Sequence, residues 1–350
     1  MYRTDTPKRR MLLLLAPAAT LALTLAGCAA GSSGSADGSG SDAGSANIAA
    51  VIKGLDNPFF QAMQSGIEDT AADADVKVSI QAAADIGDTT GQADKLTTLA
   101  GQDFGCFIVN PISGTNLVQA LAPIAAAGTP IVNIDQPIDA DSAEAAGITP
   151  ATYIGTDNEA AGGKAGDYVA SLVDAGGTVA IIGGIAGDVT SAARVDGFTA
   201  AVDGKLDVIQ EEAADWKREI ALTKATDIIA AHPDISAFFA ANDDMGLGIA
   251  KAIENAGKTG DIVVVSVDGN KDALESVKAG GLTATVAQYP YAIGSLGTQA
   301  CQVALQGGDL PENIESPTAL VTADNADEAI SKFPQPFEEF ENPLADELAQ

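Results

Sequence analysis

From residue 47 onward, short apolar runs alternate with helix-length amphipathic stretches. Runs of about five or six residues, rich in Val and Ile, fall at 47–53, 76–81, 105–109, 130–134, 178–182, 206–210, 235–240, 262–267 and 282–287. Helical patterns fill 58–74, 90–101, 114–127, 158–173, 190–203, 217–231, 244–256, 271–279 and 290–307. In the third of these, Leu117, Leu121 and Ile124 share one face at helical spacing. The first run, Asn47 to Ile52, is short and apolar, as in a strand covered on both faces. Such alternation predicts parallel sheets with right-handed crossovers, an α/β fold.

A single sheet would need nine or ten strands, so two smaller sheets are expected. The break falls near Ala140 to Thr156, where the alternation lapses before Tyr153-Ile154-Gly155 resumes. The last strand-like run is Pro317 to Thr322. From Asp324 the acidic tail has little periodicity beyond one short helix and is expected to be loosely attached.

The junction Lys53-Gly54-Leu55-Asp56-Asn57-Pro58-Phe59-Phe60 joins the first strand to the first helix. Asn57 suits the N-cap, and Pro58 suits the first helical position, where a missing N–H costs nothing. Phe59 and Phe60 then stand at the carboxyl end of a strand, the edge at which open α/β sheets hold ligands. Rings placed there offer a face to something flat and partly apolar. Other strands end in Asn110, Asp135, Asn242-Asp243, Asp268-Gly269 and Gln288. Helix capping accounts for any one of them. Together with Lys53, Asn57 and the two rings they read as one site.

Composition adds a compartment and removes some partners. Lys8-Arg9-Arg10 precede an apolar run, Met11 to Leu25, too short to read first as a membrane span. Leu25-Ala26-Gly27-Cys28 resembles the lipobox of bacterial lipoproteins, which implies a signal peptide over 1–28 and a lipidated Cys28. Residues 29–46 are Gly, Ser, Ala and Asp, the composition of a flexible tether. The expected place is therefore the extracytoplasmic face of a cell membrane, held by lipid alone. Without the five charged residues of the first 28, 14 basic and 47 acidic side chains remain, a net charge of −33. That surface repels nucleic acid and disfavours anionic ligands. Besides Cys28 only Cys106 and Cys301 remain. Two buried free thiols are the plainer reading; a disulfide is permitted outside the cell but needs a distance the sequence does not supply.

The motifs Leu55-Asp56-Asn57-Pro58-Phe59-Phe60, Ile108-Val109-Asn110-Pro111, Thr156-Asp157-Asn158 with Gly162-Gly163, and Gly184-Ile185-Ala186-Gly187 run in order along the body. So do Ser191-Ala192-Ala193-Arg194 with Gly197-Phe198, Ala241-Asn242-Asp243-Asp244-Met245, Val267-Asp268-Gly269 and Ala287-Gln288. In these motifs, from Asn47 to about Thr322, the chain resembles the type I periplasmic sugar-binding proteins, the ribose-binding group in particular. The resemblance implies two Rossmann-like lobes joined by a three-strand hinge and closing on ligand. The lobes would be 47–156 plus 289–312, and 157–288 plus 313–350. It further implies that Phe59 and Trp216 sandwich a sugar ring, with Phe60 in support. Asn57, Asn110, Asp135, Arg194, Asn242, Asp268 and Gln288 would bind hydroxyls, and Lys53 joins them as a charged contact.

Sugar chemistry fits those residue types. Rings suit the C–H faces, while amides, carboxylates and guanidinium suit a rim of hydroxyls. Lys53 and Arg194 balance Asp135 and Asp268, which predicts a neutral ligand. Three positions depart from the ribose-binding pattern. Lys53 stands where those members carry a small hydroxyl residue and matches a lysine of arabinose-binding members. Gln136 follows Asp135 in place of arginine, and Val267 replaces an aromatic. The expected ligand is thus a pentose, hexose or sugar alcohol, delivered by a monomer to an ABC permease with its cytoplasmic ATPase. No cofactor or metal is expected.

Rival readings are weaker. His232 is the single histidine and lies on the edge opposite the site; no Cys/His cluster has metal-ligand spacing, so an enzyme is not expected. The turn Gly183-Gly184-Ile185-Ala186-Gly187 lacks the order of a phosphate-binding loop and reads as structural. A sugar-responsive repressor would carry a helix-turn-helix where this chain has its tether. A signalling receptor for a furanone-type autoinducer or a nucleoside would use a similar cleft and stays open.

Overall fold

The computed structural model describes residues 46–349. The lipobox Cys28, the signal peptide and, save Ala46, the tether expected over 29–46 lie outside the described residues.

The first part of the chain runs β1 (Ile48–Ile52), α1 (Pro58–Asp73), β2 (Val78–Ala82), α2 (Thr89–Ala100), β3 (Cys106–Val109), α3 (Val118–Ala126), β4 (Ile131–Ile134), α4 (Ala140–Ala145) and β5 (Thr152–Thr156). Next come α5 (Asn158–Leu172), β6 (Thr178–Gly183), α6 (Val189–Val202), β7 (Asp207–Ala213), α7 (Arg218–Ala231), β8 (Ala237–Ala240), α8 (Asp243–Asn255), β9 (Val263–Asp268), α9 (Lys271–Ala279) and β10 (Ala284–Ala287). The chain ends with α10 (Pro290–Leu305), β11 (Asn313–Ser316), β12 (Ala319–Thr322), α11 (Ala326–Lys332) and α12 (Ala345–Leu348).

Two six-stranded sheets form, in the orders β11-β5-β4-β3-β1-β2 and β12-β10-β9-β8-β6-β7. All pairings are parallel except β10 with β12. Each sheet therefore has a switch point, between β1 and β3 in the first and between β6 and β8 in the second. In β1, Ile48, Ala50 and Ile52 pack into one apolar cluster while Ala49 and Val51 pack into another, so the strand is covered on both faces. The second lobe has one large core, with Phe198 stacked on Phe239 at 4.3 Å between centroids.

The chain crosses between the lobes around 157, 288–290 and 317–318. Strand β11 corrects the expected boundary at 312, because Asn313–Ser316 pairs with β5 in the first sheet before β12 joins the second. The run expected over 317–322 corresponds to β12, and β11 lies just before it. In β11 the burial alternates, so only two of its four side chains point inward and it reads as polar.

The tail is also corrected. Ala326, Ala329 and Phe337 are buried in the second-lobe core, and Leu344 is buried in the first-lobe core with Phe340 packed against it. Lys332 Nζ donates to the Phe337 carbonyl at 2.8 Å, and Asn342 Nδ2 donates to Gln299 Oε1 at 2.9 Å. The tail is thus attached to both lobes through apolar residues too widely spaced to give a period.

Cys106 and Cys301 form a disulfide with Cα atoms 5.7 Å apart, so free thiols are not the outcome. It joins β3 to α10 inside the first lobe. Among the described residues no helix is long and apolar enough to cross a membrane.

Candidate functional site

Both sheets present carboxyl edges to one narrow cleft. From the first lobe it is lined by Lys53, Asn57, Phe59, Phe60, Ile86, Asp135 and Gln136. From the second lobe come Asp188, Thr190, Arg194, Trp216 and Asn242. Two cations and two carboxylates stand on this wall, and three aromatic rings.

Each expected residue has a definable place. Lys53 Nζ pairs with Asp135 Oδ2 at 3.1 Å and lies 5.3 Å from the Phe60 ring centre. Phe59 and Phe60 meet edge to face at 5.2 Å. In the second lobe Arg194 Nη1 pairs with Asp268 Oδ1 at 3.1 Å, and its guanidinium lies 5.6 Å from the Trp216 ring. Each lobe therefore neutralises its own buried charge against its own partner.

Asn57 and Asn242 do two things at once. Asn57 Oδ1 accepts from Phe59 N and caps α1; Asn242 Oδ1 accepts from Met245 N and caps α8, both at 2.9 Å. The cap takes the oxygen, and the amide nitrogen of each remains available at the cleft wall. Aspartate would cap as well but, ionised, has no donor to spare.

Asp268 and Gln288 stand just behind the wall. Gln288 Nε2 donates to Asp268 Oδ1 at 2.8 Å, beside the Arg194 contact. Burial lifts the Asp268 carboxyl to about 6; Arg194 opposes that shift, and Asp244 and Asp135 add to it. Burial likewise pushes Asp243 well up, with the Asp268 charge assisting. Asp243 accepts from Ser266 Oγ, Thr285 Oγ1 and Asn270 N, which fixes the turn that carries Asp268.

Asn110 is the expected residue that the structure sets furthest back. It is fully buried, its Nδ2 donates to Met63 Sδ at 3.4 Å, and its Oδ1 has no partner. His232, by contrast, is exposed after α7, away from the cleft.

Backbone strain marks the same place. Five described non-glycine residues have positive φ, and three of them are Asp135 at 61°, Trp216 at 61° and Asp268 at 139°. Such conformations cost on the order of 1–3 kcal/mol each and persist where surrounding contacts over-determine them. Tyr153 supplies one such contact: its hydroxyl donates to the Asp135 carbonyl at 2.6 Å. Burial first, then the Asp135 charge, holds that hydroxyl protonated well above the usual phenol range. Gly184 supplies room, since a Cβ there would sit 2.2 Å from the Trp216 indole.

Sequence reading missed Ile86, Asp188 and Thr190 as lining residues and noted Gln136 only as a departure. Asp188 shows the usual N-cap signature, accepting from Ser191 N at 2.8 Å. Thr190 Oγ1 donates to Gln136 Oε1 at 2.8 Å, a hydrogen bond from one lobe to the other across the cleft. A wider hollow lies elsewhere, between α1, α10 and the tail, and brings together no residues from the two carboxyl edges.

Comparison with known proteins gives this geometry counterparts. Residues 48–309 match the family described as periplasmic binding protein domain, leaving the tail outside the match. The D-allose-binding periplasmic protein of Escherichia coli (strain K12) is 39% identical over 256 residues, 72% of this chain and 82% of that protein. The ribose import binding protein RbsB of Bacillus subtilis (strain 168) is 35% identical over 275 residues, 79% of this chain and 87% of that one. Among solved structures, a periplasmic solute-binding protein of an ABC transporter from Actinobacillus succinogenes 130z, with bound D-allose, superposes with a TM-score of 0.76. It is 29% identical, and the alignment covers 80% of this chain and 99% of that one.

Proposed function

We propose that this chain, which belongs to the periplasmic binding protein family and within it to the sugar-binding ribose group, captures one neutral monosaccharide or sugar alcohol between its lobes and delivers it to an ABC importer. The observation that carries the reading is a single cleft in which each lobe contributes a neutralised ion pair and at least one aromatic ring. A neutral, hydroxyl-rimmed ring matches that chemistry; a phosphate or a free carboxylate would leave its charge unbalanced.

In this reading Phe59 and Trp216 flank the ring faces, and Phe60 backs Phe59. Lys53 Nζ and the spare amides of Asn57 and Asn242 donate to hydroxyl oxygens, as does Arg194. Asp135 and Asp268 accept from hydroxyls, Gln288 orients Asp268, and the unpartnered Asn110 oxygen takes one more. Binding groups that demand hydroxyls reject analogues lacking them, because a buried partner is then left unsatisfied. The relatives named for allose and ribose support D-allose as the first candidate and ribose as the second. Lys53 and Gln136 favour a ligand other than ribose, since both depart from the ribose-binding pattern.

The chain acts by binding and not by catalysis. The Thr190–Gln136 hydrogen bond supports closure of the two lobes over ligand, and the closed form is what the permease recognises. Cys28 anchors the protein by lipid to the extracytoplasmic face, with 29–46 as the tether. The direct test is fluorescence of residues 47–350 titrated with pentoses, hexoses and polyols, because Trp216 is the single tryptophan. A saturable change with D-allose or a related neutral sugar is expected. No change in fluorescence and no thermal stabilisation across the panel would overturn the sugar assignment.

A further inference from the structure

We infer that Asn158 is a positioning residue for ligand binding: it ties the Arg194 guanidinium to the first crossing between the lobes and so sets which edge of the arginine meets ligand. The inference rests on the proposed role of Arg194 as a sugar contact.

Asn158 opens α5 immediately after the chain leaves the first sheet at Thr156. Its amide nitrogen donates to the Thr156 carbonyl at 3.1 Å, and its amide oxygen accepts from Arg194 Nε at 2.8 Å. One planar amide therefore joins crossing backbone to guanidinium. Arg194 is almost fully buried, and Nη1 is already committed to the Ala241 carbonyl at 2.6 Å and Asp268 Oδ1 at 3.1 Å. With Nε and Nη1 taken, Nη2 is the nitrogen left for the cleft. The helices carrying the two residues are in backbone contact. A Cβ on Gly162 would fall 2.0 Å from the Arg194 carbonyl, and one on Gly197 would fall 2.0 Å from the Glu159 carbonyl. Side chains at those positions would push α5 from α6 and stretch the Asn158–Arg194 bond.

Without the Asn158 oxygen, Nε loses its acceptor in a buried setting. The fork would then turn toward the nearest free acceptor, Asp268, and make a two-point pair with it. That pair would withdraw both the Arg194 donor and the Asp268 acceptor from ligand. Asn158 thus keeps two oppositely charged neighbours from satisfying each other completely.

The test is a double-mutant cycle in the full chain, read as dissociation constants for D-allose and ribose. Asn158→Ala should weaken binding of the cognate sugar about tenfold, the scale of one hydrogen bond to a charged group. In an Arg194→Lys background, which lacks Nε, the same change should cost less than about twofold. Asn158→Asp keeps the acceptor and should restore binding to within about threefold of wild type. Unchanged affinity in Asn158→Ala, or an undiminished loss in the lysine background, would overturn the inference. Should Asn158→Ala not fold, Asn158→Ser takes its place, since serine begins helices well but is too short to reach Nε. Failure of the wild type to bind any sugar would instead refute the proposed function.

Discussion

The pH dependence of stability offers a quantitative test of the buried carboxylate behind the cleft wall. Asp268 is buried behind Arg194 and Gln288, and burial lifts its carboxyl from 3.8 to about 6. The folded state therefore holds this proton more tightly than the unfolded chain. Its contribution to stability is fully present below about pH 4, and it is lost as pH rises through about 6. A shift of about two units corresponds to about 3 kcal/mol in full. The sequence pI is near 4.1, where a protein this acidic loses solubility, so the useful window opens near pH 5. Between pH 5 and 7.5 about 1 kcal/mol should be lost from this group. Asp243 shifts in the same direction and adds to the slope.

Urea denaturation of the ligand-free protein and of Asp268→Asn across that window isolates the Asp268 part. The difference between the two proteins should change by about 1 kcal/mol in favour of the variant as pH rises. A difference that stays constant from pH 5 to 7.5 would refute the idea that burial controls this carboxylate. Ligand reverses the preference, because a sugar hydroxyl donating to Asp268 favours the ionised form. Affinity should accordingly fall about tenfold from pH 7 to pH 5 in the wild type.

Other expectations follow from single contacts. Asn57→Asp keeps the α1 cap but deletes the spare donor, so the melting temperature should hold within a few degrees while sugar affinity falls about tenfold in the Trp216 titration. Gly184→Ala drives a methyl into the indole, and affinity should fall at least tenfold with the near-ultraviolet signal of Trp216 altered. Thr190→Val removes the bond across the cleft to Gln136; stopped-flow release of sugar should quicken about fivefold with little change in unfolding midpoint. Cys106→Ala with Cys301→Ala should lower unfolding free energy by about 2–5 kcal/mol, since the bridge closes a loop with a sequence separation of 195 residues. Equal stability of the disulfide-free protein would show that the closed loop contributes nothing.

The regular part of this fold was legible because apolar runs and helical periods encode burial directly. Strands β1, β3, β4, β6, β8, β9 and β10 announce themselves through short runs made mostly of apolar residues. Strand β11 did not, for its edge position leaves two of four side chains in water. The tail escaped detection for a related reason: Phe337, Phe340 and Leu344 are isolated anchors, not a periodic face. At the site, residue types at strand ends pointed to Lys53, Asn57, Asp135 and Asn242, and the family resemblance to Arg194; all five line one cleft. What could not be read was the third dimension. Nothing in the sequence says that Thr190 faces Gln136, or that Asn57 divides its amide between a helix and the cleft. Nor could the left-handed backbone at Asp135, Trp216 and Asp268 be foreseen, since none of the three is glycine.

The disulfide has a topological meaning beyond its strength. Cys106 precedes the first crossing and Cys301 follows the second, so the bridge makes a covalent ring whose far arc is the greater part of the second lobe, through β10. A single proteolytic cut anywhere from 158 to 287 opens that ring without dividing the molecule. Both pieces stay joined at β3 and α10, and on a gel without reductant the nicked protein should run as one species. The first lobe would keep both of its chain segments in register throughout such damage, ready to dock its partner lobe again.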